Sequence, residues 1–472
     1  HGGGGGGAQL GRPADAAAFD ARNASLRPIF EFKSKLFGAE KVAPTVGTFP
    51  IAEVSNGHTF FVQRLHEIVA VPPVAVHCTY QYGDDTGYAY GKRQRLRDAG
   101  LWLVDPPSYY EEGRYLQVVS GLAEQLAPDV ARLLDPEVLD PEHCVRSHLK
   151  LQSLQRQLLH DAFLLAKATG RSLVLPPIWC NLDRFWTILD HCLIGKKVEM
   201  PLPFVCPLDH SFLLPSFIHA DLDFREYTFL SSPRVPAALR ASRLRVRVGG
   251  GDAADAAAAG STAAAGGAAD GTPGAAAMAR AEVAAAAASV AVSPAAARAA
   301  AASGLAPRGE SSTDAAAARA AAQAAAAAPA ARVAQGADLS ELARAMGAPG
   351  VADVRVLQLH VSDMRRLCRC AAGLPAAALA LNAPLQRALG SSYHYCDTTD
   401  NPYFVECRAH GRQGCRKHRT YLMNVSRGLQ QPPLLPADKC GGGGAPDMRA
   451  CGRYHLPDEH ISEGVRTQDT PR

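Results

Sequence analysis

Residues 148–180 read HLKLQSLQRQLLHDAFLLAKATGRSLVLPPIWC. From Leu149 to Leu165 apolar residues recur three and four positions apart, the spacing of one face of an amphipathic α-helix. Gly170 is a helix stop, and the apolar run SLVLP that follows it has strand length and ends at two prolines. A helix that passes into a strand through a short glycine turn is the repeating step of a Rossmann-like α/β fold. The unit that this step belongs to begins near His143, and the spacing predicts its first two elements over 143–175.

The same texture continues on both sides. Downstream, DLSELARAM (338–346) reads as a helix and VRVLQLHVS (354–362) as a strand. Between them and the first step lies a stretch from Gly249 to Gly336 that is nearly all Ala and Gly, has no aromatic residue, and offers Met278 and Leu305 as its long apolar side chains. Alanine gives it helix propensity but no apolar stripe to bury, so it is expected to be a disordered insertion in a surface loop. Upstream, IFEFKSKLF, FPIAEVSNGHTFFVQRLHEIV and PPVAVHCTYQY place aromatic and β-branched residues between turn signals, as the short strands and helices of another α/β layer would. The expected organisation is a disordered Gly/Ala-rich start (1–27), a partial α/β domain (28–135), a second α/β unit (136–248), the disordered insertion (249–336), a continuation of the second unit with a Cys/His-rich segment (337–430), and a disordered tail (431–472).

Composition excludes some functions. Lys plus Arg number 49 against 45 acids, a net charge of +4, which argues against a dedicated nucleic-acid binder. No apolar run approaches the ~18 residues of a membrane span. The first residue is His, so a missing N-terminus is where any signal or membrane anchor is expected. Twelve cysteines, seven of them in the last third of the chain, point to disulfides and a secretory compartment, with which the sequons at Asn23 and Asn424 are compatible.

The densest local charge follows a histidine and a loop. VHCTYQYGDDTGYAYGKRQRLRDAGLW (76–102) places His77 at a strand end, then a Gly/Asp/Tyr-rich turn, then Gly91 with four cations in the next six positions: Lys92, Arg93, Arg95 and Arg97. A phosphate-binding reading gives the cations a helix N-terminal dipole to work with, and His77 a metal to hold. The plain alternative is a solvated helix face.

These residues carry a resemblance. VHCTYQY, GKRQRLRDAGLW, DPPSYY, LVLPPIWCNLDRFW, LPFVCPLDH and FREYTFL, in this order, resemble the plant and green-algal arabinosyltransferases of glycosyltransferase family 77, in particular the extensin-modifying kind. The resemblance covers roughly 28–233 and weakens after Asp338. It implies an A-type glycosyltransferase fold, a Golgi type II membrane protein, transfer of L-arabinofuranose from a UDP-sugar donor to a hydroxyproline-rich glycoprotein acceptor with retention, and a divalent metal, Mn2+, as cofactor. By the same implication His77 stands near the metal, and Lys92, with Arg93, Arg95 and Arg97 in the basic segment, faces the diphosphate. The family's Asp-x-Asp metal motif is expected upstream of the matched segments, so no catalytic residue is assigned. Asp221-Leu222-Asp223 lies away from the place the resemblance gives the metal, and Asp84 and Asp85 read equally as turn residues. The alternatives in function are another UDP-sugar, xylose or galactose, and a non-catalytic lumenal partner that binds glycan or nucleotide-sugar.

Two further segments hold candidates. Asp183, Arg184, Asp209 and His210 follow apolar strand-like runs and form a candidate acceptor cleft, or else are caps beside a core of Trp179, Trp186 and Phe204 with Cys180, Cys192 and Cys206 in disulfides. Cys407, His410, Cys415 and His418 have the letters of a zinc knuckle, but the four-residue spacing between the pairs is tight and an oxidising compartment favours disulfides.

Overall fold

The computed structural model describes residues 49–82, 89–119, 141–183, 193, 200, 202–249, 312–370 and 373–390. The starting segment, the tail, the Cys/His-rich segment with Cys407, His410, Cys415 and His418, most of the Ala-rich stretch, Asp84, Asp85 and Arg184 lie outside them.

The chain opens with strand β1 (Val54–Asn56), helices α1 (Gly57–Phe61) and α2 (Leu65–Ile68), and strand β2 (Ala75–His77), which pairs in parallel with β1. Helices α3 (Tyr90–Asp98) and α4 (Pro107–Glu111) lead to strand β3 (Tyr115–Val119). The long helix α5 (Pro141–Ala168) ends where predicted: Gly170 takes φ +61°, the left-handed region open to glycine, and β4 (Ser172–Val174) follows. A small antiparallel pair, β5 (Trp179–Cys180) and β6 (Phe204–Val205), precedes α6 (Leu208–Ser211), α7 (Leu214–His219) and β7 (Phe224–Arg225). Then come α8 (Ala237–Ala241), β8 (Arg243–Val248), α9 (Ser312–Ala327), β9 (Arg332–Val333), α10 (Leu339–Met346), β10 (Val356–His360), α11 (Val361–Met364) and α12 (Ala376–Gly390). Asp338 starts α10 with a capping box, its side chain accepting from Glu341 N while the Glu341 side chain accepts from Asp338 N.

Six strands form one parallel sheet in the order β7-β4-β3-β10-β8-β9. The Rossmann-like pattern of helix and parallel strand is therefore present, but the expected division at residue 135 does not separate two sheets. β3, read as part of the first unit, is a central strand, with Tyr115 in register with both Ser172 and Val356.

The sheet's two faces differ. Leu116, Val118, Leu173, Val246, Leu357 and Leu359 join residues of α5 and α10 in the large core. On the other face Tyr115, Val174 and Val356 are covered by Tyr110, Phe229, Leu230, Val235 and Leu239. Helix α5 is more enclosed than an amphipathic reading expects: every residue from Leu151 to Ala166 is buried. Several of its polar residues are paired inside the protein. Asp161 receives both Arg369 Nε (2.9 Å) and Nη2 (3.0 Å), His160 Nε2 meets Asn382 Oδ1 at 2.8 Å, and Gln155 Oε1 accepts from Trp179 N at 2.7 Å.

The end of the Ala-rich stretch also departs from expectation. Residues 312–327 form α9, which packs against α8, and 332–333 form β9 on the sheet edge. Ala325 and Ala331 are 4% and 2% exposed. Alanine needs no stripe of large side chains where a neighbouring helix approaches this closely. A carboxylate introduced at Ala325 would be buried without a partner, so Ala325→Asp is expected to lower stability by several kcal/mol, while Ala317→Asp, at an exposed position of the same helix, leaves it nearly unchanged. Thermal denaturation of the two variants checks this; equal melting temperatures would remove α9 from the fold.

Candidate functional site

The six quoted motifs meet in two buried clusters on either side of α3. In the first, α1 starts at Asn56, whose side chain accepts from Thr59 N, and this sends His58 inward. His58 Nε2 lies 3.0 and 2.8 Å from the two carboxylate oxygens of Asp183, and His210 Nε2 lies 3.6 Å from Asp183 Oδ1. Beside it, Arg95 Nε donates to Asp209 Oδ1 and Oδ2 at 2.9 and 3.0 Å, and its Nη2 is 2.8 Å from Oδ2. Tyr82 N donates to the same oxygen at 2.8 Å. The Cys180–Cys206 disulfide ties the strand leading to Asp183 to the strand leading to Asp209.

Gly91 makes this approach feasible. A Cβ there would stand 2.5 Å from Tyr82 O and 3.2 Å from Asp209 Oδ2, so a side chain would push α3 off the cluster.

In the second cluster Arg97 donates through Nε (2.8 Å) and Nη2 (2.5 Å) to Asp105, which also accepts from Trp102 Nε1 at 3.2 Å. The Tyr109 ring lies between the guanidinium groups of Arg97 (4.6 Å) and Arg225 (4.3 Å), and its hydroxyl donates to Glu226 at 2.7 Å. Burial holds the Glu226 carboxyl above the usual carboxylate range. Thr228 Oγ1 donates to Asp98 O at 3.0 Å, closing FREYTFL onto the end of α3.

This geometry sorts the residues read from sequence. Asp183, Asp209 and His210 come together, but they are 2%, 0% and 6% exposed and held in ion pairs, so they form a buried lock and not the wall of an open cleft. Arg95 is committed to Asp209 and Arg97 to Asp105. Arg93 lies over the Tyr90 ring at 5.3 Å. Lys92, half-buried in the first turn of α3, has no carboxylate partner among the described residues, and its charge acts on the nearby Cys78 thiol, whose pKa burial raises. His77 ends β2 and is exposed. Among the described residues no group of three or more His, Cys, Asp or Glu is arranged to hold a metal. The Asp221-Leu222-Asp223 triplet is spent locally: Asp223 accepts from Ser172 Oγ at 2.5 Å and pairs with Arg225 at 3.0 Å.

Sequence reading missed His58, Tyr82 and Glu226. The Asn-Gly step before His58 signals a helix start but not which way the imidazole points.

Burial drives the His210 imidazole down to about 4, against the opposing pull of the Asp183 carboxylate 3.6 Å away. Burial alone would raise Asp183, but the hydrogen bonds to His58 and the neighbouring His210 imidazole outweigh it and hold the carboxyl below its ordinary range. Both shifts act in the same direction. The unfolded chain takes up a proton on His210 near the ordinary histidine value while the fold refuses it until about 4, so this contribution is complete above that ordinary value and is lost as pH falls through the interval. Asp183 extends the loss to lower pH. Denaturant midpoints from pH 7 to 4.5 are expected to fall in the wild type and to fall less steeply in His210→Gln; parallel slopes would show that His210 titrates as an exposed residue.

No family model matches the chain, and no solved structure matches it. Over 232 residues it is 34% identical to the arabinosyltransferase XEG113 of Arabidopsis thaliana, a match that covers 47% of this chain and 33% of that protein. The chain thus spans about a third of the length of this curated relative. Over that stretch the resemblance read from the motifs is borne out, and this part of the chain is arabinosyltransferase-like.

Proposed function

We propose that the protein is a UDP-sugar-dependent glycosyltransferase that moves L-arabinofuranose onto a hydroxyproline-rich cell-wall glycoprotein with retention, in the Golgi lumen, on an A-type nucleotide-sugar fold. The observation that carries this reading is the similarity to an arabinosyltransferase, which the disposition of α3 makes chemically specific. Two of its four cations are neutralised inside the protein, while Lys92 stands half-exposed beside the helix N-terminus. A diphosphate placed there meets an ammonium and the first amides of a helix dipole together. The disulfide-bonded Cys180, Cys206, Cys368 and Cys370 suit an oxidising compartment. Among the described residues no helix is long and apolar enough to cross a membrane.

In the transfer, the bond between the sugar anomeric carbon and the diphosphate oxygen breaks and negative charge grows on that oxygen. Lys92 stabilises this charge more than the ground state, which is the requirement for catalysis. The acceptor hydroxyl forms the new bond on the same face, and its proton passes to the departing phosphate. Arg95 and Asp209 do not touch the sugar; they hold α3 in place.

Lys92→Ala is expected to weaken UDP binding about tenfold, the loss of one charge-assisted contact, with an unchanged melting temperature. Isothermal titration with UDP reads this, and unaltered affinity would remove Lys92 from the diphosphate. Turnover with UDP-arabinofuranose, UDP-xylose and UDP-galactose then identifies the donor; UDP binding without transfer from any of them would favour a non-catalytic nucleotide-sugar binding partner.

A further inference from the structure

Among the described residues other than glycine, Arg64, Ala70, Tyr80 and Asp221 take a positive φ. Tyr80, at +58°, is the aromatic one, and a bulky side chain in the left-handed region marks strain that its surroundings must hold. Those surroundings fix the corner on both sides. Before it, Thr79 N and Oγ1 both donate to His77 O, at 2.7 and 3.2 Å, in a tight turn at the end of β2. Gly57 presses on this turn so closely that a Cβ there would stand 2.0 Å from Thr79 O. After it, Tyr82 N is tied to Asp209 at 2.8 Å, and Tyr82 O meets Gly91.

A glycine or an asparagine would make the same corner with less strain. Core filling does not offset that strain, since Tyr80 is 38% exposed and its ring meets the His58 ring edge-on at 6.4 Å. The corner stands at the carboxyl ends of the parallel strands β1 and β2, where Asn56 and His77 are in register and where open α/β layers take their ligands. Beside it is the start of α3: a Cβ on Gly91 would lie 3.2 Å from Gln81 Cβ, and the Lys92 charge is felt at the Cys78 thiol. An exposed aromatic ring and an ammonium at a helix start therefore border the same strand ends.

The chemistry of this pair selects the ligand. An aromatic face favours a flat, π-rich partner. A furanose carries substituents on both faces of a puckered ring and offers no such surface. A pyrimidine offers one on either side, and its stacking does not depend on the hydrogen bonds it makes. In a nucleoside diphosphate the base and the phosphates belong to one molecule, so a ring and an ammonium that border one corner can hold its two parts together.

We infer that Tyr80 is the stacking platform for the nucleobase of a nucleoside diphosphate whose phosphates lie toward Lys92. The assignment rests on the proposed glycosyltransferase reading and deepens it: contact with the base supplies affinity common to every donor and leaves the choice of sugar to other residues. The strained backbone presents the ring before the ligand arrives, so less ordering is left for binding to impose.

Isothermal titration of the full chain with UDP and with inorganic pyrophosphate tests this. Tyr80→Asn, which tolerates the left-handed backbone, is expected to bind UDP about tenfold more weakly, the loss of one stacked base, with pyrophosphate affinity unchanged. Tyr80→Phe is expected to match the wild type for both ligands. Unchanged UDP affinity in Tyr80→Asn, an equal loss for UDP and pyrophosphate, or a Tyr80→Phe as weak as Tyr80→Asn would each overturn the assignment. Should Tyr80→Asn not fold, Tyr80→Leu, which keeps bulk against His58, carries the same comparison. UDP binding that ignores Tyr80 removes the platform and leaves the glycosyltransferase reading standing; a wild type that binds no UDP removes that reading and the platform with it.

Discussion

The Asp209 carboxylate is the constraint on which the placement of everything around α3 depends. It is fully buried, yet it receives the Arg95 guanidinium and the Tyr82 amide within 3.0 Å. An isolated carboxylate at that depth would carry a desolvation cost of several kcal/mol, and removing one partner from such a pair costs roughly 3–5 kcal/mol because the other charge stays behind unpaired. Tyr82 precedes the 83–88 segment and Arg95 follows it, so one carboxylate fixes both sides of that segment. Gly91 completes the arrangement, since the Tyr82 carbonyl and the helix start come closer than any Cβ allows. The direction of Lys92 is a consequence of this lock, not of any contact Lys92 makes itself.

Motifs rich in charge invite a ligand-binding reading because charge usually faces water. Here most of that charge is internal. Arg95 with Asp209, Arg97 with Asp105 and His58 with Asp183 each join segments that lie far apart in the chain or cross a turn. Their worth is specificity of assembly more than net stability, since a buried pair repays little beyond its own desolvation. Once the two cations held by buried acids are set aside, Lys92 and Arg93 remain in the basic segment.

The helix-to-strand step at Gly170 and the pair α10–β10 were legible because their signals are local: apolar period, cap and glycine stop lie within one window. The expected boundary at 135 failed because strand partnership is not local. Tyr115 looks like the end of one unit in sequence, and only its neighbours Ser172 and Val356 place it in the middle of a sheet. Helix α9 was legible as helix-prone alanine but not as a packed element, since alanine serves equally in a linker and in a close helix contact, and only the presence of α8 decides between them. At the site, residue types were readable but burial was not: of Asp183, Arg184, Asp209 and His210, read as a candidate cleft, Asp183, Asp209 and His210 lie together but enclosed, and their enclosure follows from α1 and α3, whose approach no spacing encodes.

The two faces of the sheet are unequal. One is closed with aliphatic side chains along its length, and on the other the second core covers Tyr115, Val356 and Val174 while Gln117 and Gln358, in the row of Val174, are polar. Replacing two central glutamines by apolar residues would extend the second core and cost the sheet nothing in hydrogen bonding, because buried amides at best break even against packing. A fold selected for stability alone would therefore carry leucine or valine at 117 and 358. The two amides instead hold each other, Gln358 Nε2 donating to Gln117 Oε1 at 2.8 Å across the central strand pair, and this fixes the register of β10 on β3.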